Sequence, residues 1–192
     1  EDEQDTFTLK LAESANEANA HYKGSVRLSE LAEEKSDRRL EIDVICCQQA
    51  GGPPEITESV QEGTLDMGLS AVNNLAGLTP AWNFVQLPYL WKDHEGLYGF
   101  FNEADIVEEV NQKAYENLDN IRINSYWGSG GGSFRHVHFS NDSTPKVPDD
   151  TAGEKIRVTE SPVEKSSVGE WGFSPTPVAW SETVPAMKQG VV

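Results

Sequence analysis

Apolar and polar residues alternate over residues 6–11, TFTLKL, with the period of a half-buried strand. A polar stretch of small residues, 13–20, leads into residues 21–35. There Tyr22, Ser25, Leu28 and Leu31 or Ala32 recur at helical spacing among Glu and Lys. Asp37, Arg38 and Arg39 end that helix, and residues 40–47, LEIDVICC, read as a second strand. A β-α-β order of this kind predicts an α/β fold with a parallel sheet. Gly51, Gly52, Pro53 and Pro54 make a sharp turn, with Pro54 suited to a helix's first turn. The helix that follows, 55–62, carries Ile56 and Val60 on one face and stops at Gly63. Residues 64–70, TLDMGLS, predict a third strand.

Further along, the run 84–91, FVQLPYLW, is expected to cross the core in extended form despite its proline. The strongest helical pattern is 104–120. Ile106 or Val107, Val110, Ala114 and Leu118 form one stripe, and acidic residues crowd the first turns as the helix dipole prefers. Residues 121–127, IRINSYW, and 134–139, FRHVHF, read as strands on either side of the glycine-rich loop 128–133. A lobe boundary is placed near 125–133, giving a first α/β lobe over 1–125 and part of a second over 126–192. The second lobe continues with a short helical turn at 148–150, a strand at 155–158 and a helix at 162–171. A rigid turn over Ser174, Pro175, Thr176 and Pro177 follows, then a helical run from Trp180 to Gly190. No internal repeat or heptad pattern is present.

Length and charge narrow the class. The 192 residues suffice for one large domain or two small lobes. A net charge of −17 argues against nucleic acid and against an anionic membrane surface as partners, while a local basic site can still hold a small anion. No apolar run is long enough to cross a bilayer. No signal peptide is evident, and the polar lead over residues 1–5 resembles the start of a mature exported protein. Cys46 and Cys47 are adjacent. They are expected to stay unlinked, one in the core and one sideways at a strand end, with no metal partner at ligand spacing.

The chemistry concentrates in the second lobe. Arg157 lies on a short predicted strand, between the turn at Gly153 and the helical and proline-rich segments beyond. Its planar guanidinium offers two parallel donors to a carboxylate. Thr159, Glu160 and Ser161 beside it suit an acid that also bears hydroxyls, which makes Glu160 a ligand candidate. Arg135 sits on the other predicted strand of this lobe. Asn73 and Asn74 follow the third strand, where open α/β sheets place ligands, although Asn-Asn is also ordinary loop chemistry. Trp127 is a candidate stacking surface for a sugar ring.

Other readings carry less. The loop 128–133 could cradle an oxyanion with backbone N–H groups, but it lacks the Gly-Lys-Ser/Thr ending of a nucleotide loop, and a hinge or turn is preferred. His136 and His138 alternate along a strand without a further ligand to complete a metal site. A Ser133–His136 nucleophile pair would serve a hydrolase, yet no Gly-x-Ser-x-Gly elbow occurs. The residues therefore favour a binding protein for a small organic acid, with no catalysis, cofactor or metal. A sensor domain of the same fold and the hydrolase remain as alternatives.

Several segments in order resemble the solute-binding proteins of tripartite ATP-independent periplasmic (TRAP) transporters. These are Lys35-Ser36 before LEIDV, QEGTLDMGLS followed by LAGLTP, FVQLPYLWKD, FRHV, GEKIRVTESP, and SPTPVAWSETVPAMKQGVV. The resemblance implies an extracytoplasmic receptor with two α/β lobes and a ligand cleft between them, delivering its solute to membrane permease subunits. It implies that Arg157, in KIRV, makes the salt bridge to the ligand carboxylate and that Arg135, in FRHV, assists. Residues after the first strand and after TLDMG complete such pockets, which points to Glu13, Ser14, Ser70 and Asn73. Ala71 stands where sialic-acid binders of the family carry a glutamate, which counts against that substrate. The family pattern continues past GVV, so the chain is expected to lack its C-terminal part, including one wall of the pocket.

Overall fold

Strand β1, Phe7–Glu13, is the centre of a three-stranded parallel sheet in the order β2-β1-β3, with β2 at Leu40–Ile45 and β3 at Met67–Leu69. In register, Leu9 faces Ile42 and Leu11 faces both Val44 and Met67. The computed structural model describes residues 5–126, 136–139 and 144–192. Flanked on both edges, β1 runs to a fully buried end at Leu11, Ala12 and Glu13. The expected β-α-β opening is present. Helix α1, Ala20–Lys35, is capped by the Asn19 side chain, which accepts from the His21 N–H at 2.9 Å. Helix α2, Pro53–Gln61, starts on its prolines, and Gly63 at φ +76° lets the chain turn away.

Contacts divide the chain into two units. The first is Glu1–Ala71 with Asp119–Ile121, and the second is Val72–Leu118 with Arg122–Val192. The lobes expected from sequence, 1–125 and 126–192, are a different partition. Trp82, fully buried, gathers Phe84, Phe100, Phe101 and Tyr126 around it, which draws residues 72–118 together with residues after 122. The first unit's core is Ala12, Ile56 and Leu65, packed by Ile45, Ala50 and Val60. A separate cluster in the second unit joins Val158, Val168 and Phe173 with Ile156, Phe139 and Trp171.

The second unit departs from the sequence reading in several places. Residues 84–91 do not cross a core. Asn83–Gln86 is a 3-10 turn, and Leu87, Tyr89 and Leu90 are exposed, Tyr89 at 93%. Trp82 takes the buried role, and the Trp91 indole N–H donates to the Val85 carbonyl at 3.0 Å. A helix not expected from sequence, α3 at His94–Asn102, follows, capped by Asp93 through the Gly96 N–H. Helix α4, Ala104–Tyr115, stops short of residue 120. The described part of 121–127 is not a strand, because the Tyr115 hydroxyl accepts the Ile123 N–H at 3.0 Å, a donor that a strand would give to a neighbour. Residues 136–139 are likewise irregular rather than strand, with His136 and His138 both exposed.

Strand β4, Lys155–Val158, pairs in parallel with β5, Ser174–Pro177, setting Arg157 opposite Thr176. The expected rigid turn at 174–177 is thus a strand. Its prolines alternate, so the N–H groups that remain fall on the side facing β4. The Ser174 N–H donates to the Glu154 carbonyl at 2.8 Å, and the Val178 N–H to the Val158 carbonyl at 3.2 Å. Helix α5, Pro162–Glu170, lies between these strands in sequence. A 3-10 turn at Trp180–Glu182 and helix α6, Thr183–Lys188, realise the expected run to Gly190.

Candidate functional site

In the first unit, the candidate residues lie at the carboxyl end of β1. Glu13 is 2% exposed, and neither carboxylate oxygen has a hydrogen-bond partner among the described residues. Burial raises its pKa above the ordinary value of 4.5, with Ser25 and His21 pulling it partly back. The Ser25 hydroxyl also donates to the His21 carbonyl at 3.2 Å. Ser14 is half-buried in the next position, and Ser70 is half-buried one residue past β3.

In the second unit, β4 delivers Arg157 in a fixed pose. Its Nε–H donates to the Val178 carbonyl at 2.8 Å, and its Cζ stands 5.6 Å from the centre of the Trp180 ring. The hydrogen bond sets the guanidinium plane, and the indole face supports it by cation–π attraction. Parallel pairing of β4 with β5 is what places Val178 there, since Val178 directly follows the residue opposite Val158.

Beyond β4, the chain is held by a network that the sequence reading missed. The Thr159 hydroxyl donates to Glu164 Oε2 at 2.6 Å, accepts the Asn73 side-chain N–H at 3.3 Å and accepts the Ser161 N–H at 3.2 Å. Glu164 Oε2 also accepts the Thr159 N–H at 2.9 Å. Asn73 is 4% exposed, so its amide braces the turn after β4. Ser161 caps α5 by accepting the Glu164 N–H. The Ser-x-x-Glu spacing of a capping box was visible in the sequence, whereas a link between residues 73 and 159 leaves no local trace. Glu160, a predicted ligand residue, is exposed and paired with Lys165 at 2.6 Å.

Arg135, Trp127 and Ser133 lie outside the described residues. The cysteine expectation is corrected. Cys46 and Cys47 are disulfide-bonded to one another, with Cys46 buried and Cys47 exposed. Side chains of neighbours in a continuing strand point apart. β2 ends at Ile45 and Cys47 turns to φ +61°, which lets the two sulfurs meet. The fold also brings a Glu17 carboxylate oxygen within 4.8 Å of both sulfurs.

The model of the bacterial extracellular solute-binding proteins, family 7 (DctP), matches residues 11–192, and the chain belongs to this family. Its members are substrate-binding receptors with the two-lobed α/β fold of periplasmic binding proteins. Among relatives, the 2,3-diketo-L-gulonate-binding periplasmic protein YiaO of Escherichia coli K12 is 26% identical over 180 residues, 91% of this chain and 51% of that protein. A TRAP periplasmic solute-binding protein of Sulfurospirillum deleyianum, solved with bound succinate, matches with a TM-score of 0.81 at 22% identity, over 98% of this chain and 58% of that one. Another from Roseobacter denitrificans, solved with bound L-galactonate, matches with a TM-score of 0.79 at 23% identity, over 98% and 60%. The chain therefore spans about half the length of the curated relatives it matches. No described helix is long and apolar enough to cross a membrane.

Proposed function

We propose that this chain is the recognition portion of an extracytoplasmic TRAP receptor, which binds a small organic carboxylate without transforming it and hands it to membrane permease subunits. The observation that carries the reading is Arg157, held on β4 by the Val178 carbonyl and the Trp180 ring in a chain matching the family from residue 11 onward. A guanidinium fixed in orientation loses little entropy on pairing with a carboxylate, which suits rapid and reversible capture. Arg135 is the second cation of this reading, and Trp127 its stacking surface.

A sugar acid or hydroxy acid is the preferred solute. The buried Glu13 carboxyl, which Ser25 and His21 relieve only in part, favours a ligand that brings hydroxyl donors over one that brings a second carboxylate, because two like charges would meet where water is excluded. Ser14 and Ser70 add hydroxyl partners of the same kind. Asn73 and Glu160 take supporting parts, the first by bracing Thr159 and the second through its ion pair.

A thermal-shift screen of the protein in its full natural length tests this. The panel is galactonate, glucuronate, succinate, keto acids, the neutral analogue of each acid, and simple esters. A solute that binds only the folded state raises the melting temperature in proportion to RT ln(1 + [L]/Kd). The expected result is a shift with a hydroxylated acid and none with its neutral analogue. Turnover of an ester, or no shift across the panel with well-folded protein, would overturn the reading.

A further inference from the structure

Just past β2, Cys47 and Gln48 both take left-handed backbone conformations, at φ +61° and +62°. This turn folds Cys47 back onto Cys46, and the Cys47 N–H donates to the Ala15 carbonyl at 3.0 Å. The cysteine turn is thereby tied to the loop after β1, and Glu17 stands in that loop. A Glu17 carboxylate oxygen and both sulfurs lie within 4.8 Å of one another. Glu17 and Cys47 are exposed while Cys46 is buried, so the group opens to solvent on one side.

Two sulfurs and a carboxylate form a donor set suited to a soft or borderline divalent cation. We propose that Cys46, Cys47 and Glu17 form a gated site for a thiophilic divalent metal ion, closed while the sulfurs are joined and open once they are reduced. Opening requires a dithiol reductant. One of its thiolates attacks one cysteine sulfur, the S–S bond breaks and a mixed disulfide forms. The reductant's second thiolate then displaces the protein sulfur, leaving as an intramolecular disulfide. Two electrons and two protons thus pass to Cys46 and Cys47. Metal binding afterwards releases both thiol protons, and Glu17 contributes an oxygen ligand. The open side leaves room for a water to complete the coordination. None of this depends on which solute the receptor carries.

The test uses the full-length protein, purified oxidised, reduced with a small dithiol, desalted without oxygen and titrated with cadmium ion. The reduced protein is expected to take up one cadmium ion, with an ultraviolet thiolate-to-cadmium absorption band and release of two protons. The oxidised protein takes up none at that site. Cys46→Ser combined with Cys47→Ser removes the band, and alkylating the reduced wild type does the same should that variant fold poorly. Glu17→Gln, at an exposed position, is expected to weaken binding by roughly tenfold to a hundredfold, the scale for groups that support a metal site. Three results would overturn the site. One is a pair that the dithiol leaves closed to alkylation by mass spectrometry. The others are cadmium binding no tighter than in alkylated protein, and unchanged affinity in Glu17→Gln.

Discussion

Glu13, a candidate ligand residue, carries a folding cost of its own. Its carboxylate is buried, and removing a charge from water is costly where its neighbours compensate only in part. Burial raises its folded pKa, so the folded state holds the proton over a range in which the unfolded state has lost it. Stability contributed at this position therefore falls as pH rises from the ordinary value of 4.5 through the raised one, and the penalty vanishes below that range. Glu13→Gln is expected to stabilise the ligand-free protein near neutral pH, with the advantage closing at acid pH. Urea denaturation at the two pH values reads this directly, and equal gains at both would refute the ionisation account. Arg157→Ala is expected to cost about 2–5 kcal/mol of binding, the scale for leaving one partner of a buried pair alone. That is roughly 30- to 5,000-fold in Kd, measurable by calorimetry with the acid found in the screen. Unchanged affinity would remove Arg157 from the site. Arg157→Lys should fall between, since it keeps the charge and loses the planar fork and the Nε–H bond to Val178.

Among the elements, the turn between β4 and α5 is the most heavily braced. One hydroxyl, on Thr159, meets Asn73, Ser161 and Glu164 together. Thr159→Val preserves shape and deletes that hub, and it is expected to cost about 1–3 kcal/mol in a urea unfolding curve. A loss below a few tenths would show the network to be incidental. The sequence made the first three strands, α1, α2 and β4 readable, because each is a short β-prone or helically spaced run of apolar residues bounded by polar, glycine or proline breaks. It did not make β5 readable, since two prolines in four residues resemble a turn until a parallel partner is seen to accept the remaining N–H groups. Helix α3 was obscured by its two glycines and aromatic run, and residues 121–126 alternated like a strand while the Ile123 backbone bonded to the Tyr115 hydroxyl. Of the candidate ligand residues, Arg157 stood out as an arginine on a short strand. The Asn73–Thr159 bond joins positions 86 apart, and Glu17 meets the cysteines only through folding, so neither had a local signature.

For the whole molecule, the net charge of −17 is the dominant long-range fact. Like charges on a compact body repel one another, and salt shortens their reach from roughly 30 Å at 0.01 M to about 10 Å at 0.1 M. The melting temperature is therefore expected to rise across that interval in a simple monovalent salt. A flat or falling profile would mean that local ion pairs such as Arg27–Glu30 and Lys113–Glu116 outweigh the collective repulsion. Repulsion of this kind also keeps copies of the chain apart, and screening weakens that protection. The alternating prolines of β5 offer a second safeguard that salt does not touch. With its N–H groups directed to β4, β5 has no backbone donors at Pro175 and Pro177 along its other edge. A strand from another chain approaching that edge would find no donors at two alternate positions, so edge-to-edge growth into an extended aggregate is blocked there by covalent chemistry.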